Sequence, residues 1–257
     1  MVPRKFVCLM YHELERPGRP LCQMEPGYLR YVVAEAKFRD QMRWLHSDGW
    51  RGMSIGTALA SREPRGIALT FDDGSETDLT LAAAILKETG NNATFYITAG
   101  FLGKPGYLSP AQLRELSGLG FEIGCHSMTH PYLTDLDDAA LHTEIVDARQ
   151  RIEQIIGNSV EHFSCPGGRY DHRAIEIARD AGYKSVANSR VAANSLSADP
   201  FSLNRIAILR HTDDPAFRAI CRGEGLWNRR LRDSLQHSAR AAMGNTLYES
   251  VRTLLLR

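Results

Sequence analysis

The chain has 257 residues and a formal net charge of +1, from 31 basic and 30 acidic side chains. That length suits one large α/β barrel with a core that needs neither disulfides nor a structural metal, and so even a charge balance implies no nucleic-acid partner. The five cysteines, Cys8, Cys22, Cys125, Cys165 and Cys221, form no CxxC pair, which argues against a disulfide framework or a thiolate zinc site.

Short strand-like runs alternate with helical patterns along the chain. Val7 to Met10 reads as a strand. Residues 13–36 hold Pro17, Gly18, Pro20, Pro26 and Gly27 and read as one long loop, a feature often tied to function in compact domains. Phe38, Met42 and Leu45 recur at helical spacing, and Gly49 ends that helix. Strand and helix then alternate: Ile67 to Phe71, Leu79 to Leu86, Ala93 to Ile97, and a helix opened by Ser109-Pro110 that runs to Leu116. Phe121 to Gly124 follows as a strand, then a long amphipathic helix on Leu141, Ile145, Ala148, Ile152 and Ile155 that stops at Gly157. His162 to Cys165, Ser185 to Ala187 and Arg205 to Leu209 are the remaining strands, with a helix over Ala174 to Ala181. Repeated βα alternation implies a parallel sheet, and the number of units points to a barrel, complete or not.

Residues 222–257 stand apart as a basic tail, with seven arginines against two glutamates and one aspartate. Trp227, Leu231 and Leu235 share one helical face, as do Leu247, Val251 and Leu255. Such a helix either packs on the domain of residues 1–221 or lies on an anionic membrane surface. The opening Met1 to Met10 is too short in its apolar run for a signal peptide, and no run nears the roughly 20 apolar residues of a membrane span. With the thiols read as reduced, a cytoplasmic protein is expected.

Three segments carry candidate chemistry. Leu69-Thr70-Phe71-Asp72-Asp73-Gly74 drives an apolar strand into two adjacent carboxylates. Two buried like charges raise each other's pKa, and a cation held by one of them relieves this. Neighbouring strand residues point to opposite faces, so Gly74 must allow a turn that brings both to one site in distinct directions. Taken alone, the triplet also reads as a surface turn. Gly124-Cys125-His126-Ser127-Met128-Thr129-His130 offers two histidines four apart, on one face of a helical turn, able to ligate one ion; the alternative is two unrelated histidines. Phe163-Ser164-Cys165-Pro166-Gly167-Gly168-Arg169-Tyr170-Asp171 ends a strand in a turn whose backbone N–H groups either face a developing oxyanion or simply lead to a helix capped by Asp171. All three fall at strand carboxyl ends, where parallel barrels gather their active sites.

Together, TFDDG, HSMTH and SCPGGRYD resemble the polysaccharide deacetylase family, the NodB-homology or family-four carbohydrate esterases. The opening LMYHE and the late NRIAI look like members that handle exopolysaccharide or lipid-linked glycans. The resemblance implies a distorted (β/α) barrel of seven parallel strands followed by the helical tail. It implies Asp72 as general base and Asp73, His126 and His130 as ligands of a divalent metal, zinc first, with nickel, cobalt or manganese as alternatives. Gly167 would supply an oxyanion donor. The leaving amine would take its proton from His12 or from His211 of Leu209-Arg210-His211, with His12 favoured. Where the family has an arginine orienting the base, this chain has Ser164, leaving Arg169 or Arg205 for that task; where an aromatic residue follows the motif's proline, it has Gly167. The activity implied is hydrolysis of an N-acetyl group from an amino sugar in a glycan or lipid-linked saccharide, with peripheral membrane contact through the tail. A deformylase, a hydrolase of a non-sugar ring amide, and a non-catalytic glycan-binding protein on the same fold are the alternatives.

Overall fold

The computed structural model describes residues 5–227 and Arg230. In chain order the strands are β1 (Lys5–Tyr11), β2 (Leu14–Glu15), β3 (Val33–Ala34), β4 (Arg51–Met53), β5 (Gly66–Phe71), β6 (Thr94–Ile97), β7 (Glu122–Cys125), β8 (His162–Ser164), β9 (Ser185–Ala187), β10 (Asn194–Ser195) and β11 (Ile206–Ala207). The helices are α1 (Pro26–Leu29), α2 (Glu35–Ser47), α3 (Ile55–Ala60), α4 (Ala84–Glu88), α5 (Pro110–Gly118), α6 (Asp138–His142), α7 (Ala148–Ile156), α8 (His172–Asp180) and α9 (Asp214–Cys221).

Strands β1, β5, β6, β7, β8 and β9 run parallel, each hydrogen-bonded to the next. The segment 203–207 joins the two ends of this row. Leu203 donates to the Val186 carbonyl and accepts from Asn188 N–H, while Ile206 and Ala207 of β11 pair in parallel with Leu9 and Met10. The result is the expected seven-strand barrel, distorted because its last seam rests on a single bridge to β9. β4 lies beside the start of β5, and β10 runs antiparallel against the start of β1.

The two-residue period of a strand sorts the side chains. Val7, Leu9, Tyr11, Ile67, Leu69 and Phe71 face the surrounding helices, whereas Phe6, Cys8, Ala68 and Tyr96 form a smaller cluster inside the barrel. Met53, Ile55 and Ala58 join this inner cluster, so α3 plugs the end where the strands begin. Glu122, the first residue of β7, fastens the plug by accepting from Ser54 Oγ at 3.0 Å and from Gly56 N–H at 3.1 Å. The sequence pattern passed over β4 and α3, which are too short to show a period.

Residues 13–36 are not an open loop. Glu13 is fully buried and accepts from Arg19 Nη1, Cys22 N–H and Tyr28 Oη, and β2 pairs with β3. A buried carboxylate must be hydrogen-bonded, and satisfying this one pins the segment down. The helix expected over Leu79 to Leu86 begins as π-helical winding at Asp78–Ala83 before α4, and a similar stretch, Thr143–Asp147, links α6 to α7. Gly157 ends α7 in the left-handed conformation, φ +72°. Of the tail, only 222–227 and Arg230 are described, with Trp227 67% exposed; the helical faces expected beyond lie outside the described residues. Among those described, no helix is long and apolar enough to cross a membrane.

Candidate active site

The site lies at the carboxyl ends of β5, β7 and β8. Asp72 N–H donates to the Tyr11 carbonyl at 3.0 Å, extending the β5 ladder by one residue. The strand alternation therefore turns Asp72 inward, two residues after the inward Thr70. Asp73 and Gly74 then adopt φ of +80° and +81°, and this reversal brings the second carboxylate to the same site as the first.

The non-glycine residues with positive φ in the described chain are Asp73, Ser127 and His130. Each such conformation costs on the order of 1 kcal/mol or more and needs surroundings that enforce it. The expected helical turn across His126 to His130 is absent, because other partners claim its backbone. Glu144 accepts from Met128 N–H and Thr129 N–H, both at 2.8 Å, and Ser127 Oγ accepts from His130 N–H at 3.0 Å. The loop curls around Glu144 and returns His130 beside His126, ring centroids 4.9 Å apart. Spacing missed Glu144, a buried acid on the otherwise apolar face of its helix.

His126 is buried, and its Nδ1 lies 2.8 Å from the Ser164 carbonyl. A carbonyl only accepts, so Nδ1 carries the proton and Nε2 presents its lone pair. That Nε2 is 3.6 Å from Asp73 Oδ1, and His130 Nε2 is 3.5 Å from the same oxygen. Asp73 Oδ1 is itself buried without a hydrogen-bond partner. Three donor atoms, one from each residue, lie within 4.8 Å of one another. Donors about 2.0–2.1 Å from a tetrahedral zinc would stand about 3.3 Å apart, so this trio fits a small divalent cation and leaves further positions open. Burial, opposed by Asp72 and aided by His130, lowers the His126 pKa from 6.5 to about 4 and keeps the ring neutral, as a ligand must be.

Asp72 is held by Arg205. Nη1 contacts Oδ1 at 2.6 Å and Nη2 contacts Oδ2 at 2.8 Å, a bidentate pair with both residues buried. Arg205 Nε donates to the Asn188 carbonyl at 3.0 Å, and Nη2 also reaches Ser164 Oγ at 2.7 Å. Ser164 donates in turn to Asp72 Oδ2 at 3.3 Å. Of the two arginines weighed, Arg205 thus fills the place beside Asp72, and Ser164 lies within its network. Arg169 stacks over Tyr132 instead. Burial would raise the Asp72 pKa, but Arg205, with His126 and His12, overrides it and holds the carboxyl well below the usual range.

His12 follows β1 and lies 4.6 Å from the Tyr31 ring, centroid to centroid. Its Nδ1 is buried without a hydrogen-bond partner. Burial lowers its pKa, while the charges of Asp73 and Asp72 raise it. His211 is exposed in the turn between β11 and α9. Gly167 has φ +60°, and the turn's own hydrogen bonds run from Gly168 N–H to Cys165 and from Arg169 N–H to Pro166. Asp78, also passed over in the sequence, is buried with neither carboxylate oxygen hydrogen-bonded, and burial followed by repulsion from Asp73 raises its pKa well above normal.

The polysaccharide deacetylase family profile matches residues 60–186. The chain is 25% identical over 223 residues to the Bacillus subtilis protein YxkH, spanning 84% of this chain and 76% of that one. It is 31% identical over 121 residues to a peptidoglycan-N-acetylglucosamine deacetylase of Bacillus cereus, spanning 47% of this chain and 54% of the relative. A chitooligosaccharide deacetylase of Azorhizobium caulinodans is 29% identical over 131 residues, 50% of this chain and 60% of that protein. The chain thus spans little more than half the length of these last two relatives. Its fold is shared with the Streptococcus pyogenes deacetylase PplD, TM-score 0.75 at 23% identity over 86% of this chain and 99% of that one. IcaB of Ammonifex degensii shares it too, TM-score 0.70 at 20% identity over 85% and 96%. The chain belongs to the polysaccharide deacetylase family.

Proposed function

We propose that this protein is a metal-dependent N-deacetylase that hydrolyses the N-acetyl group of an amino sugar in a glycan or a lipid-linked glycan precursor. The observation that carries this reading is the unsatisfied Asp73 Oδ1, 3.5 and 3.6 Å from the ring nitrogens of His130 and His126. Asp73, His126 and His130 hold the cation, with zinc the best match to one carboxylate and two imidazoles. When bound, such an ion acts as a Lewis acid, polarising the acyl carbonyl and acidifying water.

The chain's own groups do the rest. Asp72 accepts the proton of the attacking water at its carboxylate. Its bidentate pairing with Arg205 fixes the direction of its free lone pairs and keeps it ionised. The same pairing makes it a weak base, so it serves only where the water is already acidified. Gly167 N–H donates to the developing oxyanion. His12, protonated from solvent before the substrate closes the site, delivers that proton to the departing amine nitrogen; the negative charges of Asp73 and Asp72 favour the imidazolium against its burial. Exposed His211 has no such setting.

We also assign the protein to the cytoplasm, with peripheral contact at the inner membrane face. Five unpaired cysteines support a reducing compartment, and exposed Trp227 beside Arg222 and Arg230 supports contact with an anionic surface. The test is acetate release from acetylated amino-sugar oligomers and lipid-linked sugars, with formylated analogues beside them. Activity should vanish on chelation and return with zinc. Hydrolysis indifferent to chelator sinks the mechanism.

A further inference from the structure

Gly167 does more than offer an N–H. A Cβ built on it would lie 2.7 Å from Tyr132 Cε1 and 3.2 Å from Cδ1, so the Tyr132 ring fills the space a side chain would need. Tyr132 comes two residues after His130, in the loop that curls around Glu144. The Arg169 guanidinium lies over its ring, 3.7 Å from Cζ to the centroid. Two elements therefore fix this ring, one leading from a metal-ligating histidine and one from the oxyanion turn. The ring is half-buried, so part of it stays open to solvent.

Resting on the deacetylase reading above, we propose that Tyr132 is the specificity-determining wall against which the sugar ring carrying the scissile amide packs. The amide carbon must lie between the Asp73–His126–His130 cluster and Gly167 N–H. The sugar attached to that amide then passes alongside the residue that bridges these two groups. A pyranose presents an apolar face of C–H groups, which suits an aromatic surface held rigid in advance. A methyl-sized acyl group would instead need an enclosed pocket, which an open ring does not provide. Arg169 acts as a positioning residue, fixing the tilt of Tyr132 from behind by a cation–π contact.

The test uses the zinc-loaded Asp72→Asn protein, which binds without turnover, titrated calorimetrically with tetra-N-acetylchitotetraose. Tyr132→Ala in that background should weaken binding about tenfold, while Tyr132→Phe should stay within about twofold. Gly167→Ala should also weaken binding, because its Cβ displaces the ring. Adding Tyr132→Ala to it should then cost little more, since both changes remove one feature. Zinc content should stay at one ion per chain throughout. Unchanged binding in Tyr132→Ala, losses that multiply independently in the double variant, or a parent that binds no sugar would each overturn the proposal. Should the parent bind the tetramer while the Asp72-intact enzyme releases no acetate, the deacetylase reading fails and the Tyr132 comparison still decides this one.

Discussion

Arg205 and Asp72 meet inside the barrel as a bidentate ion pair, 2.6 and 2.8 Å long, with Arg205 at 1% and Asp72 at 2% of full exposure. Burying both charges is costly, and removing one partner strands the other. Arg205→Met is therefore expected to destabilise the fold by about 3–5 kcal/mol, read as a shift in the urea midpoint. Arg205→Lys should retain the charge but lose the fork, giving a milder shift and reduced kcat. A midpoint unchanged in Arg205→Met would mean that the pair contributes nothing to stability.

The two adjacent aspartates should separate cleanly by variant. Asp72→Asn is expected to keep its metal and lose turnover by about 10²–10⁴-fold, the usual contribution of a general base. Asp73→Asn should lose the metal itself, since one of three ligands is weakened. Metal content per chain and initial rates decide the matter. Full turnover in Asp72→Asn would remove it from the role of base.

For the amine's proton, replacement of His12 by Gln should depress kcat on the order of 10²-fold with metal content intact. His211→Ala should leave kcat near the parent value. The reverse pattern would transfer the acid role to His211.

Acid should weaken the metal-free protein in a defined window. His126 titrates near 4 when folded against an ordinary 6.5, so between those values the unfolded chain binds more protons and stability falls with falling pH. His12, also lowered, acts in the same direction. Asp72 is depressed below its ordinary 3.8, so its contribution is lost only at still lower pH. Melting temperatures of the chelated protein at steps from pH 7 to 4.5 should decline, and His126→Asn should flatten the slope. An equally steep slope in that variant would point to other groups.

At the opposite end of the barrel, a Cβ on Gly56 would lie 2.4 Å from Glu122 Oε2 and 3.1 Å from His162 Nε2. Gly56→Ala should cost about 1–3 kcal/mol, typical of overpacking, while kcat per folded molecule stays unchanged because the plug lies far along the strands from Asp72. A lost activity with normal stability would link the two ends.

The βα alternation, the strand-end position of TFDDG and the pairing of Asp73 with His126 and His130 were all legible in the residues. The first two depend on local periodicity and on side-chain chemistry, which the linear order carries directly; the third came from the resemblance of TFDDG and HSMTH to the family's motifs. The path of HSMTH was not legible: the helical turn expected there does not form, since Glu144, distant in sequence, takes the backbone donors that a helix would use. Residues 13–36 looked like a loop for the same kind of reason: Glu13 organises them only once it is buried.

Sequence alone thus determined the barrel class, through apolar spacing, and, through the resemblance of its motifs, the family and the trio Asp73, His126 and His130 that the fold brings together, because spacing and motif are properties of neighbouring residues. Only the tertiary structure decided that Arg205 rather than Arg169 holds Asp72, that His12 rather than His211 shares the site's charges, and that Tyr132 occupies the space beside Gly167. Those choices join segments up to 133 residues apart. They follow from how the barrel closes and which side chains burial forces to find partners, and no short-range pattern encodes either.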